Sequence, residues 1–393
     1  MLLIQNGDVY SPKHLGVRDL LISEGKIISV LLPSAHTASL VEALRAVDSD
    51  LEVLDAKGCR LTPGIIDRHV HFNGAGGEGG PRFRTPPMQL SAFIRAGVTS
   101  AVGLLGTDGT CRSLRELLMK ARALDDEGIT TWMLTGSYGV PSATLTGDVK
   151  SDICLIDKVI GLKLSLSDHR SSHPSVEELR RAVSDARVGG ILAGKSGIVC
   201  VHMGSEKTSL APLLAAIEGT DVPIAQFAPT HITRCKPLLQ DSAAFAKRGG
   251  GVDITAETQS VPIFGVSTRD AILTLLDQGA PPDRITLSSD GNGSMPVFDE
   301  HGKMTGMAVG SIKTVLETLL SLWDDPAFDR ETVLSFATSN VADHLSLKGK
   351  GRVEKGADAD ILAIDQENTL FHVVAKGKVM MRAGTVLHKG TFE

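Results

Sequence analysis

The chain has 393 residues, of which 42% are hydrophobic and 22% are charged, as in an ordinary globular protein with an extensive core. Its formal net charge of -6 argues against a nucleic-acid or membrane-surface partner. The start of the chain turns polar after Ile4, and no apolar run approaches the roughly 20 residues that span a bilayer. The five cysteines include no Cys-x-x-Cys pair, which predicts reduced thiols and a cytoplasmic location.

Short apolar strands joined by tight turns are predicted near both ends of the chain. They cover residues 2–5, 19–23 and 26–31 at the start and 359–365, 370–375 and 378–382 at the end. Neither set buries enough apolar surface to be stable alone. We therefore predict that the two ends pair into one small β-sandwich domain, formed by residues 1–60 and 350–393.

Between these ends, strands and helices alternate. Apolar runs typical of buried strands occur at residues 64–72, 100–106, 131–138, 160–167, 197–204, 224–232, 250–256 and 285–291. Helical patterns occur at residues 111–127, 175–188, 210–218, 237–247, 268–278, 311–322 and 331–345, and Ser175 with Glu178 forms a capping-box pattern. Eight such units predict an α/β fold, a (β/α)8 TIM-like barrel over residues 61–349, in preference to a doubly wound sheet.

Polar residues end several of the predicted barrel strands, where a barrel places its active site. His69 and His71 project to the same side of the first strand because side chains alternate along a strand. An isolated His-x-His is more often a pair of surface histidines, but other strands also end in polar residues, namely Tyr138, His202, His231 and Asp290. Four imidazoles and a carboxylate at one rim predict a metal site suited to zinc.

Lys163 lies inside the apolar run of the fourth strand. A buried ammonium group beside metal cations would be strongly unfavourable. Reaction with carbon dioxide would convert it into an anionic carbamate that could bridge two metal ions. The alternative for Lys163 is a salt bridge to a carboxylate such as Asp168.

These strand-end residues resemble the amidohydrolase superfamily. The segments 74–86, 103–107, 132–138, 167–170, 229–234 and 288–294 resemble, more narrowly, its isoaspartyl (β-aspartyl) dipeptidase family. The resemblance runs through essentially the whole chain. It implies two zinc ions per chain, bridged by N6-carboxylated Lys163, with the other ligands divided between them: His69, His71 and Asp290 on one, and His202 and His231 on the other.

The same resemblance implies the activity of a metallo-omega-peptidase, which releases aspartate from an isoaspartyl dipeptide. A metal-bridging hydroxide would attack the β-linked peptide bond, with Asp290 as general base and then acid and Tyr138 polarising the carbonyl. Glu78 would bind the substrate ammonium. Arg170 and Arg234 would bind its terminal carboxylate, since a planar fork suits two oxygens. The family adds Ser294 to the carboxylate pocket and places Gly76 and Thr107 near the isoaspartyl end.

Two other functions remain open at this point. One is a related hydrolase of cyclic amides or N-acyl amino acids, and the other is a metal-free scaffold of the same fold. The scaffold predicts lost ligands, whereas every ligand position is filled in this sequence. The expected partner is a small dipeptide, with no nucleic acid and no membrane. The family implies a homo-oligomer built from dimers, an octamer.

Three further patterns are set apart from the site. Residues 189–196 match the phosphate-loop pattern G-x4-G-K-S, but a helix precedes them and a strand follows, which reverses the order that a phosphate loop requires. His169 and His173 are given no role. The loop at residues 256–265 is a hypothetical lid.

Overall fold

The computed structural model describes residues 1–33, 37–257, 266–298 and 304–393. Its strands are β1 (Leu2–Tyr10), β2 (His14–Ser23), β3 (Lys26–Leu31), β4 (Glu52–Asp55), β5 (Arg60–Pro63), β6 (Ile65–Val70), β7 (Val98–Gly103), β8 (Thr130–Gly136), β9 (Val159–Leu166), β10 (Ile198–Met203), β11 (Phe227–Thr230), β12 (Val252–Thr255), β13 (Ile285–Ser288), β14 (Ser294–Phe298), β15 (Met304–Val309), β16 (Ile361–Ile364), β17 (Leu370–Ala375), β18 (Lys378–Arg382) and β19 (Thr385–Val386).

The helices lie mainly between the barrel strands. They are α1 (Thr37–Val47), α2 (Leu90–Arg95), α3 (Leu114–Glu127), α4 (Val149–Leu155), α5 (Val176–Ala193), α6 (Ala211–Ile217), α7 (Lys236–Lys247), α8 (Thr268–Asp277), α9 (Thr314–Trp323), α10 (Arg330–Ser335) and α11 (Ser339–His344). The capping box predicted at Ser175 and Glu178 is present at the start of α5. No helix in the described ranges is both long and apolar enough to span a bilayer.

Eight parallel strands, β6 to β13, lie side by side in chain order. A bridge between Val70 and Gly291 brings the end of β6 to the segment after β13, where the His71 amide donates to the Gly291 carbonyl at 2.9 Å. Strands such as β7, β9 and β10 are buried along their whole length, as strands of a helix-covered parallel sheet must be. The predicted (β/α)8 barrel is therefore confirmed.

The single helix predicted at residues 331–345 is wrong, because the chain breaks there into α10 and α11. Phe336 and Ala337 lie in the break, and both are fully buried. The Phe336 carbonyl accepts from the Leu287 amide, and the Ala337 carbonyl accepts from the Ile66 amide, each at 2.9 Å. Because these carbonyls point toward the barrel strands and accept hydrogen bonds from them, they do not point along a helix axis toward the next turn.

Strands from both ends of the chain form a separate nine-stranded sheet, as predicted. Its order is β19-β18-β17-β16-β5-β1-β2-β3, with β4 also paired to β1. The two ends meet where β16 runs antiparallel to β5, with Ile361 opposite Pro63. On this sheet we base the proposal of a small domain of residues 1–60 and 350–393 beside a barrel of residues 61–349.

A buried ion-pair network joins this sheet to the barrel through Lys350. Its ammonium group lies 2.6 Å from Asp360, 2.9 Å from Asp358 and 2.7 Å from the hydroxyl of Thr130, which begins β8. Burial opposes the charged form, but the two carboxylates outweigh it and raise the pKa of Lys350. The charged form of Lys350 is therefore stabilised by its pairing with Asp358 and Asp360.

We expect Lys350→Ala to lower the free energy of unfolding by about 3–5 kcal/mol, because it leaves the buried Asp360 carboxylate without its ammonium partner. Urea unfolding followed by circular dichroism would measure the loss. Lys348→Ala, at an exposed position two residues away, is the matched control and should change stability by less than about 0.5 kcal/mol. Equal stability of the two variants would contradict the assignment.

The phosphate-loop pattern at residues 189–196 has a structural explanation. Its lysine, Lys195, follows α5 and donates to three backbone carbonyls, those of Ile153 and Ile156 at 2.7 Å and of Val159 at 3.0 Å. This lysine therefore binds the carbonyls at and beyond the end of α4, where a cation is favourable. Residues 258–265, which make up most of the hypothetical lid, lie outside the described residues.

Candidate active site

The carboxyl ends of the barrel strands surround one open cavity of about 820 Å³. Nearly all of the predicted site residues line it: His69, His71, Gly76, Glu78, Thr107, Tyr138, Arg170, His202, His231, Arg234, Asp290 and Ser294. Lys163 is fully buried in β9, and its Nζ lies 3.4 Å from Nε2 of the cavity-lining His69. The fold thus gathers side chains from most of the barrel strands at one rim.

His69 and His71 reach the same side of β6, as the alternation of side chains predicts. The Nε2 atoms of His71 and His69 lie 3.1 and 3.4 Å from the same oxygen, Oδ1 of Asp290, which follows β13. The candidate ligand atoms of these three residues all lie within 4.8 Å of one another. One ion could therefore contact all three side chains.

His202 in β10 and His231 after β11 extend this group into a continuous cluster of imidazoles. The ring centroid of His231 lies 4.7 Å from that of His202 and 4.9 Å from that of His69. Nδ1 of His231 contacts the Thr255 hydroxyl at 2.6 Å. Such a hydrogen bond fixes the orientation of the ring, as outer partners of metal-binding histidines do.

Two of the predicted ligands have backbone conformations that non-glycine residues seldom adopt. The φ angle is +61° at His231 and +51° at Asp290. His231 directly follows β11, and Asp290 lies two residues after the end of β13. Local hydrogen bonds hold these turns, since the Arg234 amide donates to the His231 carbonyl and the Gly293 amide to the Asp290 carbonyl. Strained residues of this kind concentrate at functional sites.

The electrostatics of the cluster favour neutral histidines. Burial lowers the pKa of His69, His202 and His231 well below the ordinary value, and neighbouring positive groups lower it further. Burial also opposes ionisation of Asp290, but the hydrogen bond from His71 and the interactions with His69 and Lys163 outweigh it, so the pKa of Asp290 is lowered. Neutral imidazoles and an ionised carboxylate are the forms that bind a metal ion.

Lys163 has no carboxylate partner within 4.0 Å among the described residues, so the alternative of a salt bridge to Asp168 is wrong. Asp168 instead pairs with arginine and histidine side chains. Burial lowers the pKa of Lys163, which favours the neutral amine. A neutral amine is the form that reacts with carbon dioxide.

This donor set fits a site for divalent metal ions with borderline ligand preference. The residues offer four imidazoles and one carboxylate, and a carbamate on Lys163 would lie beside His69. Nδ1 of His71 is buried and has no hydrogen-bond partner among the described residues, so the protein does not occupy that nitrogen. An amidohydrolase-type metal pair is therefore compatible with the residues present.

Tyr138 lies at the rim with its hydroxyl 2.7 Å from Nδ1 of His202. The Arg170 guanidinium lies over the Tyr138 ring, 5.4 Å from the ring centroid. Burial raises the pKa of Tyr138, so its hydroxyl stays protonated and can donate a hydrogen bond. This is the property required for polarising a substrate carbonyl.

Glu78 enters the cavity from the glycine-rich loop after β6. Its carboxylate accepts from Thr107 at 2.7 Å, from Ser294 at 3.0 Å and from Arg170 at 3.2 Å. Burial opposes its ionisation, but these hydrogen bonds outweigh burial and lower the pKa of Glu78. The residues predicted for opposite ends of a substrate therefore contact each other.

Gly76 shapes the same loop by close backbone approach. Its φ is +87°, and it forms an isolated bridge with Arg84. A Cβ atom at this position would lie 2.1 Å from the carbonyl oxygen of Phe83. Only glycine fits here, because any side chain would collide with the Phe83 carbonyl across the loop.

Sequence reasoning missed three contributors to the cavity. Asp168, 4% exposed, contacts Arg170, Arg234 and His202, although its position just after β9 was a usable signal. Met295 and Met307 line the cavity from the β14–β15 hairpin, which no alternation pattern indicated. The two unassigned histidines lie at the edge: His169 also lines the cavity, and His173 pairs with Glu206 at 3.1 Å.

Comparison with known proteins identifies the family to which this chain is similar. Residues 60–388 match a family model described as the amidohydrolase family. A curated relative, the dihydroorotase of Lactobacillus johnsonii, is 24% identical over 93% of this chain and 89% of its own length. The solved dihydropyrimidinase of Brevibacillus agri NCHU1002 shares the fold, with a TM-score of 0.66 and 16% identity over 99% of this chain and 96% of its own.

A much closer similarity is to the β-aspartyl dipeptidase of Fervidobacterium islandicum AW-1. Its structure in complex with β-Asp-Leu dipeptide is 42% identical to this chain, covers 98% of both chains and has a TM-score of 0.88. These matches confirm the resemblance that the strand-end motifs predict.

Proposed function

The chain belongs to the amidohydrolase family, and we propose that it is an isoaspartyl dipeptidase, which hydrolyses the β-aspartyl peptide bond of dipeptides. The observation that carries this proposal is the juxtaposition of Glu78 and Arg170 beside the histidine cluster. An isoaspartyl dipeptide carries one ammonium and two carboxylate groups, so it needs both signs of charge beside the reacting bond. The 42% identity to a β-aspartyl dipeptidase over 98% of both chains supports the same conclusion.

We propose two zinc ions per chain, with ligands assigned from family resemblance. His69, His71 and Asp290 would hold one ion and His202 and His231 the other, with N6-carboxylated Lys163 between them. When bound, zinc lowers the pKa of a coordinated water to about 7 and so supplies hydroxide at neutral pH. The burial of all six side chains supports the assignment, because it keeps bulk water away from them.

Asp290 is the proposed general base and acid. Its ionised carboxylate lies in the cavity and can take the proton of the attacking water. It would then pass that proton to the nitrogen of the departing amine. Free aspartate and the second amino acid are the products.

Tyr138 is proposed to stabilise charge on the carbonyl oxygen of the scissile bond. Its hydroxyl remains a donor because its pKa is raised by burial. An oriented donor of this kind contributes most when charge develops on the oxygen in the transition state. In the ligand-free cavity this donor is engaged by His202.

The charged residues of the cavity suggest how substrate is oriented: Glu78 binds the α-ammonium, while Arg170 and Arg234 bind the terminal carboxylate. Family resemblance adds Ser294 to the carboxylate pocket and places Gly76 and Thr107 at the isoaspartyl end. Because Glu78 accepts from Arg170 and Ser294, substrate must exchange these contacts for its own charged groups. A ligand with only one of the two charges would leave the other partner unmatched.

The alternative is a hydrolase of cyclic amides or N-acyl amino acids, which the similarity to dihydroorotase favours. Cyclic amides carry no ammonium group, so they would leave Glu78 without a ligand. A metal-free scaffold is disfavoured because every candidate ligand lies in the cluster. The isoaspartyl dipeptide therefore accounts for more of the charged residues that line the cavity.

We expect the purified protein, prepared with zinc and bicarbonate, to hydrolyse isoaspartyl-leucine and not hydantoin or dihydroorotate. Release of free leucine, quantified by chromatography, would measure turnover. α-Aspartyl-leucine is the matched control substrate, because it has the same charges with a different linkage. Turnover of a cyclic amide but not of isoaspartyl-leucine would reject the dipeptidase assignment in favour of the alternative.

We further propose a cytoplasmic location and a homo-oligomer built from dimers, an octamer by family resemblance. All five cysteines are free thiols, which supports a reducing compartment. The proposed ligand is a small dipeptide, with neither nucleic acid nor membrane as partner, and the net charge of -6 supports this.

A further inference from the structure

We propose that Asp168 is a positioning residue, which holds Arg170 and Arg234 in place to bind the terminal carboxylate of the substrate. This inference rests on the proposed dipeptidase function. Asp168 follows β9 and is 4% exposed, so it is a buried carboxylate at the wall of the cavity.

The contact between Asp168 and Arg170 is a fork. Nε and Nη2 of Arg170 donate to Oδ1 and Oδ2 of Asp168, each at 2.9 Å, and the Arg170 amide donates to Oδ1 at 2.9 Å. Paired parallel hydrogen bonds of this kind fix the plane of a guanidinium as well as its position. One edge of Arg170 is therefore committed to the protein, and Nη1 is directed toward Glu78 at 3.2 Å.

Arg234 approaches the same carboxylate from a different strand end. Its Nη1 lies 3.5 Å from Oδ2 of Asp168, and its backbone follows β11 rather than β9. Two guanidinium groups that converge on one pocket repel each other unless an anion lies between them. Asp168 is that anion, so both arginines can lie beside the cavity.

Asp168 also limits the number of hydrogen bonds that Arg170 can donate to Glu78. With its fork held by Asp168, Arg170 makes a single contact with Glu78. Without Asp168, the fork of Arg170 would be free to pair with both oxygens of Glu78. Arg170 would then be held by Glu78 and less available to the terminal carboxylate of the substrate.

A competing role must be separated by experiment, because Oδ2 of Asp168 also lies 3.0 Å from Nε2 of His202. If Asp168 acts mainly through His202, its loss should affect every substrate equally. If it acts through the arginines, its loss should affect substrates that carry the terminal carboxylate. The two roles therefore differ in substrate dependence.

The test compares Asp168→Asn with the wild-type chain on isoaspartyl-leucine and on isoaspartyl-leucine amide, which lacks the terminal carboxylate. We expect kcat/KM on the acid to fall by about 30-fold or more, mainly through KM. On the amide we expect a change of less than about threefold, with metal content unchanged. Asp325→Asn is the matched control, because Asp325 makes the same fork with Arg269 on the surface, and it should match wild type.

An equal loss on the acid and the amide, or a loss that follows metal content, would overturn the inference. If Asp168→Asn is recovered unfolded, the comparison uses Asp168→Glu, which keeps the charge and should retain part of the preference for the acid. Equal values of kcat/KM on both substrates for Asp168→Glu would also overturn it. Absence of turnover by the wild-type chain would reject the proposed function and this inference with it.

Discussion

Replacing Lys163 with alanine is expected to reduce metal content and to lower isoaspartyl-leucine turnover by at least about a thousandfold. The reason is that the proposed carbamate would be lost, and with it the activation that lowers the pKa of water from roughly 15.7 to roughly 7. Lys163 is fully buried beside His69, so no other described side chain can occupy its place without rearrangement. Elemental analysis and a leucine-release assay on the same samples would measure both effects.

Chemical rescue of Lys163→Ala tests whether the group at this position is anionic or cationic. A carbamate is anionic, so acetate or propionate should restore metal content and part of the turnover. An ammonium role for Lys163 predicts rescue by methylamine instead. Lys195→Ala is the matched control, because Lys195 is a part-buried lysine that binds only backbone carbonyls. Rescue of Lys163→Ala by the amine alone would reject the carbamate.

Asp290→Asn is expected to reduce kcat by about 10²- to 10⁴-fold, because the amide cannot take a proton from water or return one to the leaving amine. The side chain keeps its shape, so KM should change by less than about threefold. Steady-state kinetics at neutral pH would measure both constants. Metal analysis of the same protein separates the loss of a proton acceptor from the loss of a ligand.

The control for Asp290→Asn is Asp283→Asn. Asp283 precedes β13 on a short 3-10 helix, and its side chain is 66% exposed, so its replacement should leave kcat within about twofold. An Asp290→Asn protein that binds metal normally and keeps more than a tenth of the wild-type kcat would contradict the general-base role. A protein that loses both metal and turnover would assign Asp290 chiefly to metal binding.

Much of the candidate site could be predicted from local patterns. His69 and His71 are two residues apart in an apolar run, so they must share one side of a strand. Single polar residues that end later runs, such as His202 and His231, must then share the rim, because parallel strands of a barrel end on one face. These steps need only the chain order and the twofold repeat of a strand.

Several features lay beyond such patterns because they depend on contacts between distant segments. The helix predicted at residues 331–345 breaks where Phe336 and Ala337 bond to barrel strands, and no local propensity signals this. The short helices α2 and α4 and the β14–β15 hairpin were also missed. The hairpin matters for function, since its Met295 and Met307 line the cavity.

The sequence by itself determined the barrel, the pairing of the two ends and the set of candidate metal ligands and charged residues at the rim. Each of these follows from periodicity, from residue chemistry or from resemblance. Only the tertiary structure decided which charges meet: Glu78 with Arg170, and Asp168 with both arginines and His202. The physical reason is that most of these partners follow different strands, so their approach in space is set by barrel closure; only Asp168 and Arg170 lie on the same loop.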